Sequence, residues 1–234
     1  MKTYRFTLIE LLTVITVIII LISILLPSLA KVKTLSKSIN CLNNLKQLGI
    51  AACYYQNDNQ EYFMPHMMPG RRWTNLFLDE KYSSGKTMLC PSVKNIYASQ
   101  YINNAVPHSS DASAKPDYGY NSFYLADAPG YGKTTEEALI ILKIFQVKRP
   151  SLVICMSDDY DAGATYYSNG DAYLRPYYKA DSNGQFDARH QSSVNILWTD
   201  GHVLDKRSRF GHGPYNSSDM GPYSELTEFL KNTN

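Results

Sequence analysis

Residues 6–27 read FTLIELLTVITVIIILISILLP, and this stretch decides how the rest of the chain is arranged. After Glu10 no charge appears until Lys31. Residues 11–30 are uncharged and mostly apolar, the length a helix needs to cross a bilayer. Lys2 and Arg5 precede the run, which predicts a cytoplasmic N-terminus by the positive-inside rule. A cleaved secretory signal is one reading, with Ser28-Leu29-Ala30 as a small-x-small site. The apolar run is longer than the ~7–15 residues of a signal core, however. A plain membrane anchor is the second reading. Neither uses Glu10, whose carboxylate would cost about 2.5–3.5 kcal/mol in lipid.

Outward from this run, Val32, Leu35, Ile39, Leu42, Gly49 and Ala52 recur at helical spacing, predicting an amphipathic continuation to about Asn57. A helix from Phe6 to Asn57 is roughly 75–80 Å long at ~1.5 Å per residue. Behind the charged start at 1–5 stand a transmembrane part at 6–30, an amphipathic part at 31–57, and a domain at 58–234. Within that domain Tyr120–Leu125, Leu152–Met156, Val194–Trp198 and His202–Leu204 are the expected strands. Thr199-Asp200-Gly201-His202 predicts a tight hairpin with a type I′ turn. Thr134, with Glu137 at capping-box spacing, opens an expected helix to about Phe145, and Ser224–Lys231 is an expected terminal helix. Residues 157–187 and 205–223 read as loops. The expected fold is α+β: one long helix packed on an antiparallel sheet.

The 234 residues carry a net charge of +2 with no long basic run, which argues against a nucleic-acid partner. Mean hydropathy is −0.30 despite the apolar start, so the rest of the chain is polar. Cys41, Cys53, Cys90 and Cys155 contain no C-x-x-C pair. Outside the cytoplasm they permit three full disulfide pairings, and spacing does not choose among them or between pairing and buried thiols.

Phe6-Thr7-Leu8-Ile9-Glu10-Leu11-Leu12 resembles the processing signal of type IV prepilins and type II secretion pseudopilins. The resemblance continues through CLNNLKQLGIAACYYQNDNQEYFMP (41–65), Trp73, LCPS (89–92), YGYN (118–121) and RHQSSVNILWTDGHV (189–203). The last contains His190, nine residues, then Asp200-Gly201, a motif of a large bacterial pilin-like family. The resemblance implies that residues 1–5 are a leader peptide removed by cleavage between Arg5 and Phe6, with N-methylation of Phe6 and a role in assembly for Glu10. There the carboxylate is neutralised by the terminal amine of a neighbouring subunit. Pro27 falls where pilin helices commonly carry a proline, which removes a backbone donor and kinks or loosens a helix. Arg5 departs from the family's pattern, which has Gly before the cut. The implied partners are prepilin peptidase, sibling pseudopilins or pilins, an inner-membrane assembly platform and membrane lipid.

Three constellations bear on chemistry. His190, Asp200 and His202 offer metal ligands or a base–carboxylate pair. Against this, Asp200 suits the turn, His190 a hydrogen bond to a loop, and His202 a strand start, and this second reading is preferred. Asp158, Asp159 and Asp161 cluster oxygens of a kind that calcium accepts, but without the Glu of an EF-hand loop, and are read as a solvated loop. Tyr118, Tyr120, Phe123 and Tyr124 read as core and sheet surface. No nucleophile elbow, P-loop or dinucleotide fingerprint is present, so the expectation is not an enzyme and, calcium apart, no cofactor. The sequence points to a pseudopilin-like subunit in the inner membrane, its C-terminal domain periplasmic or extracellular. The alternative is an anchored pilin-like module that displays a glycan- or protein-binding domain without polymerising.

Overall fold

The computed structural model describes residues 7–65, 67–68, 71–93, 98–104, 106, 116–121, 125–126, 141–160, 185–207 and 214–215. The chain divides into two compact units, residues 1–36 and 37–234. Helix α1 (Leu8–Asp58) runs unbroken through Pro27.

In the first unit every described side chain of α1 is exposed, and the apolar ones point to all sides. This is the one helix among the described residues long and apolar enough to cross a membrane. Its hydroxyls turn back onto its own backbone: Thr13 donates to the Glu10 carbonyl, Thr16 to Leu12, Ser23 to Ile20 and Ser28 to Leu25, at 2.7–3.0 Å. A hydroxyl so closed has no need of water, which explains how this apolar run carries four of them.

The second unit is an α+β fold. Its part of α1 buries Cys41, Leu45, Leu48, Gly49, Ala52 and Tyr55, a stripe at three- and four-residue steps. Gly49 and Ala52 belong to the stripe read from the sequence. Val32, Leu35 and Ile39 do not; they are exposed, and burial begins only at Cys41, where the helix first meets other elements. After α1 come β1 (Met67–Met68), β2 (Arg71–Arg72), α2 (Trp73–Asp79), a 3₁₀ turn (Gly85–Met88) and α3 (Ala98–Ile102). Then follow β3 (Tyr118–Tyr120), β4 (Ile154–Tyr160), β5 (Gln185–Asp187), β6 (Ser193–Trp198), β7 (Val203–Arg207) and β8 (Pro214–Tyr215).

The main sheet runs β7-β6-β4-β5-β8, with β3 also on β4, and every pairing is antiparallel. One core joins α1 to Trp73, Phe77, Tyr101, Tyr120, Met156 and Leu197. A second cluster holds Ile154, Phe186, Val194, Ile196 and Trp198. Alternate residues of β6 therefore enter different clusters, and all six are buried. β7, at the sheet edge, carries Asp205, Lys206 and Arg207, charges that oppose pairing with another chain.

Several expected boundaries move. β3 (Tyr118–Tyr120) shares only Tyr120 with the expected strand Tyr120–Leu125; Tyr118 and Tyr120 are core, and Phe123 and Tyr124 lie outside the described residues. β4 begins at Ile154 and continues through Asp158 and Asp159, so these two are buried strand residues rather than a solvated loop. β5, the end of β7, and β8 occupy parts of the expected loops. At the close of the expected helix 134–145, the Leu142 carbonyl accepts the Phe63 amide at 2.9 Å and Lys143 bridges to Tyr62, so residues 141–143 are not helical; only Ile144–Gln146 turn, as a 3₁₀ helix. Residues 127–140 and Ser224–Lys231 lie outside the described residues.

Candidate functional site

Two places gather the residues singled out from the sequence. The first is the head of α1. The Thr7 amide and hydroxyl both donate to Glu10 Oε2, at 2.8 and 2.7 Å, and the Glu10 amide donates to Thr7 Oγ1 at 3.3 Å. This is a capping box, Thr-x-x-Glu, in which each side chain satisfies the other's backbone donor. The signature stands in the sequence at Thr7-Leu8-Ile9-Glu10, and its meaning is hidden there by the apolar run behind it. Glu10 thus has a local partner in the isolated chain. Arg5 and Phe6 lie outside the described residues.

The second place is built around His190. Gln191 and Ser192 have φ of 53° and 68°, and the amides and carbonyls of His190 and Ser193 exchange hydrogen bonds at 3.2 and 2.9 Å. That is the two-residue turn with left-handed central residues expected at Asp200-Gly201. The loop at Thr199-Asp200-Gly201 is different. The Gly201 amide donates to the Trp198 carbonyl, the Trp198 amide to the His202 carbonyl, and Gly201 alone has positive φ, +85°. It is a three-residue loop with a bulged glycine, and the type I′ expectation is corrected accordingly.

His190 is buried. Its Nε2 lies 3.3 Å from Asp158 Oδ2 and 3.6 Å from Cys90 Sγ, and its Nδ1 lies 3.3 Å from Ser92 Oγ. Asp158 Oδ2 also accepts the Asn195 amide at 2.8 Å, and Asp117 accepts the Cys90 amide at 2.6 Å. Arg189 Nε lies 2.9 Å from Asp187 Oδ2, and its Nη2 donates to the Asp159 carbonyl. Three buried carboxylates, Asp117, Asp158 and Asp187, thus act on Arg189, and Asp158 also meets His190. Burial pushes the Asp187 carboxyl above the usual carboxylate range; Arg189 pulls it down without cancelling the effect. Burial lowers the Arg189 guanidinium, but attraction to Asp187, Asp158 and Asp117 outweighs it, and the group is raised.

Asp200 is exposed at the far end of β6. Its Oδ1 accepts the His202 amide at 3.1 Å and contacts His202 Nδ1, and the His202 ring stacks on Trp198 at 5.4 Å. Lys46 on α1 donates to the Gly201 carbonyl at 2.6 Å. His190 and Asp200 flank a six-residue strand, about 15–20 Å long. They cannot ligate one ion or act as one base–carboxylate pair. Asp158 belongs to the His190 cluster, Asp159 meets it through the carbonyl that accepts from Arg189, and Asp161 lies outside the described residues.

Cys41 and Cys90 form a disulfide, joining α1 to the Leu89–Ser92 loop; Cys53 is exposed and free, and Cys155 is buried. Burial pushes the Cys155 thiol up to about 12, so it is inert at neutral pH. The contributions of Asp117, Asp187, Arg189, Ser92 and Asn195 were not legible in the sequence, since they come from three separated stretches, around 92, 117 and 187–195, and form no spacing pattern. Comparison with protein-family models, curated proteins and solved structures found no match.

Proposed function

We propose that this chain is a pseudopilin-like structural subunit of a type II secretion or type IV pilus-like machine. The first half of α1 anchors it in the inner membrane, with the N-terminus cytoplasmic and residues 37–234 periplasmic or extracellular. It assembles with sibling pilins through that helix, after cleavage by a prepilin peptidase before Phe6, on an inner-membrane platform. The observation that carries this reading is α1 itself. One unbroken helix exposes apolar residues on all sides in its first half, with Glu10 as its one carboxylate there, and enters the core of an α+β unit with its second half. Both Thr7 donors fall on Oε2 of Glu10, which leaves Oε1 as acceptor for the terminal amine of a neighbouring subunit.

Mass spectrometry of the N-terminus of the native, membrane-extracted protein tests the reading. A methylated Phe6 at the terminus supports it. A terminus at Met1 favours the anchored display module, to which Arg5 before the cut already inclines. A terminus at Lys31 makes the segment a secretory signal. A Glu10→Val variant should still insert, because a desolvation cost has gone, while its co-purification with sibling pilins falls. Unchanged co-purification removes the assembly role of the carboxylate.

A further inference from the structure

We propose that Cys41, Cys90 and His190 form a zinc site when the Cys41–Cys90 disulfide is reduced, so that disulfide and metal are alternative clasps between α1 and the Leu89–Ser92 loop. Among the described residues these are the one set of three such side chains whose ligand atoms lie together, all within 4.8 Å of one another. All three are buried, and they come from three separate segments. Two thiolates and an imidazole are the donor set that zinc prefers over harder cations.

The surroundings fit a metal-bound imidazole. Two donors on one tetrahedral zinc stand roughly 3.3–3.8 Å apart, given bonds of about 2.3 Å to sulfur and 2.0–2.1 Å to nitrogen. The 3.6 Å from Cys90 Sγ to His190 Nε2 falls in that range. With Nε2 on the metal, Nδ1–H would donate to Ser92 Oγ, 3.3 Å away, the partner that fixes the tautomer of a ligating histidine. Asp158 Oδ2 stands 3.3 Å from the same Nε2, close enough to supply a fourth donor, while its Oδ1 is buried without a hydrogen-bond partner. A dipositive ion also suits a site where three buried carboxylates, Asp117, Asp158 and Asp187, act on one arginine.

The chemistry balances. An external dithiol or phosphine gives two electrons to the Cys41–Cys90 bond, and each sulfur takes up one proton while the reductant is oxidised. Zinc then displaces both thiol protons to solvent, and two thiolates neutralise its charge. A two-electron oxidant reverses the sequence, re-forming the disulfide and releasing the ion.

The test uses the full chain in detergent, reduced with a phosphine, given zinc and passed through a desalting column, with zinc counted per chain. Reduced wild type should retain about one zinc, and the unreduced chain essentially none. His190→Ala and Cys90→Ser should lose it, Cys53→Ser should keep it, and Ser92→Ala should bind about 10–100-fold more weakly. Cobalt substituted for zinc should show a thiolate-to-metal charge-transfer band in wild type that Cys90→Ser lacks. If reduction alone unfolds the chain, zinc added beforehand should preserve the fold of wild type but not of His190→Ala. Absence of zinc or of that rescue in reduced wild type, or equal retention by His190→Ala, overturns the proposal.

Discussion

Gly201 and Ser192 hold the turns at the two ends of β6, and each does so with a positive φ. Asp200-Gly201 correctly marks a hairpin, and the residue needing positive φ is the glycine. The type of turn depends on how β6 and β7 register, which no dipeptide specifies. A Cβ on Gly201 would meet nothing within 4 Å, so Gly201→Val tests backbone strain alone. It should cost about 1–3 kcal/mol in denaturant unfolding; an unchanged midpoint would remove the bulged-glycine account. Ser192 is the converse. It holds φ of 68° with a side chain, a state costing roughly 1–2 kcal/mol that glycine avoids at an entropic penalty of about 0.5–1. Ser192→Gly should therefore stabilise by up to about 1 kcal/mol, and a loss of stability would contradict the turn. Asp187 adds a pH dependence. Its carboxyl titrates higher folded than unfolded, so the folded chain takes up its proton first as pH falls. The contribution is complete below about 3.9, the unfolded value, and is lost as pH rises through the higher folded one. Relative to Asp187→Asn, wild type should gain melting temperature from pH 7 toward pH 4; a gap that is flat or widens the other way refutes this.

Among the elements, α1 was legible in type and nearly in length, because a long apolar run followed by helical spacing admits few alternatives. Which face packs was not fully legible. Val32, Leu35 and Ile39 keep the apolar rhythm but remain exposed, while the buried stripe starts at Cys41. Strand edges moved for a similar reason: β4 carries Ser157, Asp158 and Asp159 in the interior, where His190 and Asn195 satisfy polar atoms that a local reading assigns to a loop. The contact between helix and sheet turns on Gly49. A Cβ there would lie 2.9 Å from Leu197 Cδ1, and Leu197 is fully buried in β6. Gly49→Ala sets a helix-propensity gain of about 1 kcal/mol against a clash that Leu197 can relieve by a small shift, so its net effect should be small. Gly49→Leu has no such relief and should cost about 1–3 kcal/mol or more by overpacking. Equal unfolding midpoints for Gly49→Leu and wild type would show that helix and strand do not meet so closely.

For the whole molecule, the sequence places a boundary at the first charge after the apolar run, Lys31, whereas the compact units divide between Ser36 and Lys37. Charge marks where a chain can leave lipid; a unit begins where side chains find partners, and among the described residues the first fully buried side chain is Cys41. None of the described residues 7–36 is buried, so removing 1–36 takes no described residue from the core. The cut would leave a helix start at Lys37 whose first turn frays, but Cys41 in the next turn is held by its disulfide to Cys90. Residues 37–234 expressed alone in an oxidising compartment should thus be soluble without detergent. Their melting temperature should lie within about 3 °C of the full chain's, the shift expected for under 1 kcal/mol in a unit of this size. The same comparison under reducing, metal-free conditions should lower both chains together, since the clasp they share has been opened. A drop of about 10 °C or more on truncation of the oxidised protein would mean that the first half of α1 contributes to the fold itself.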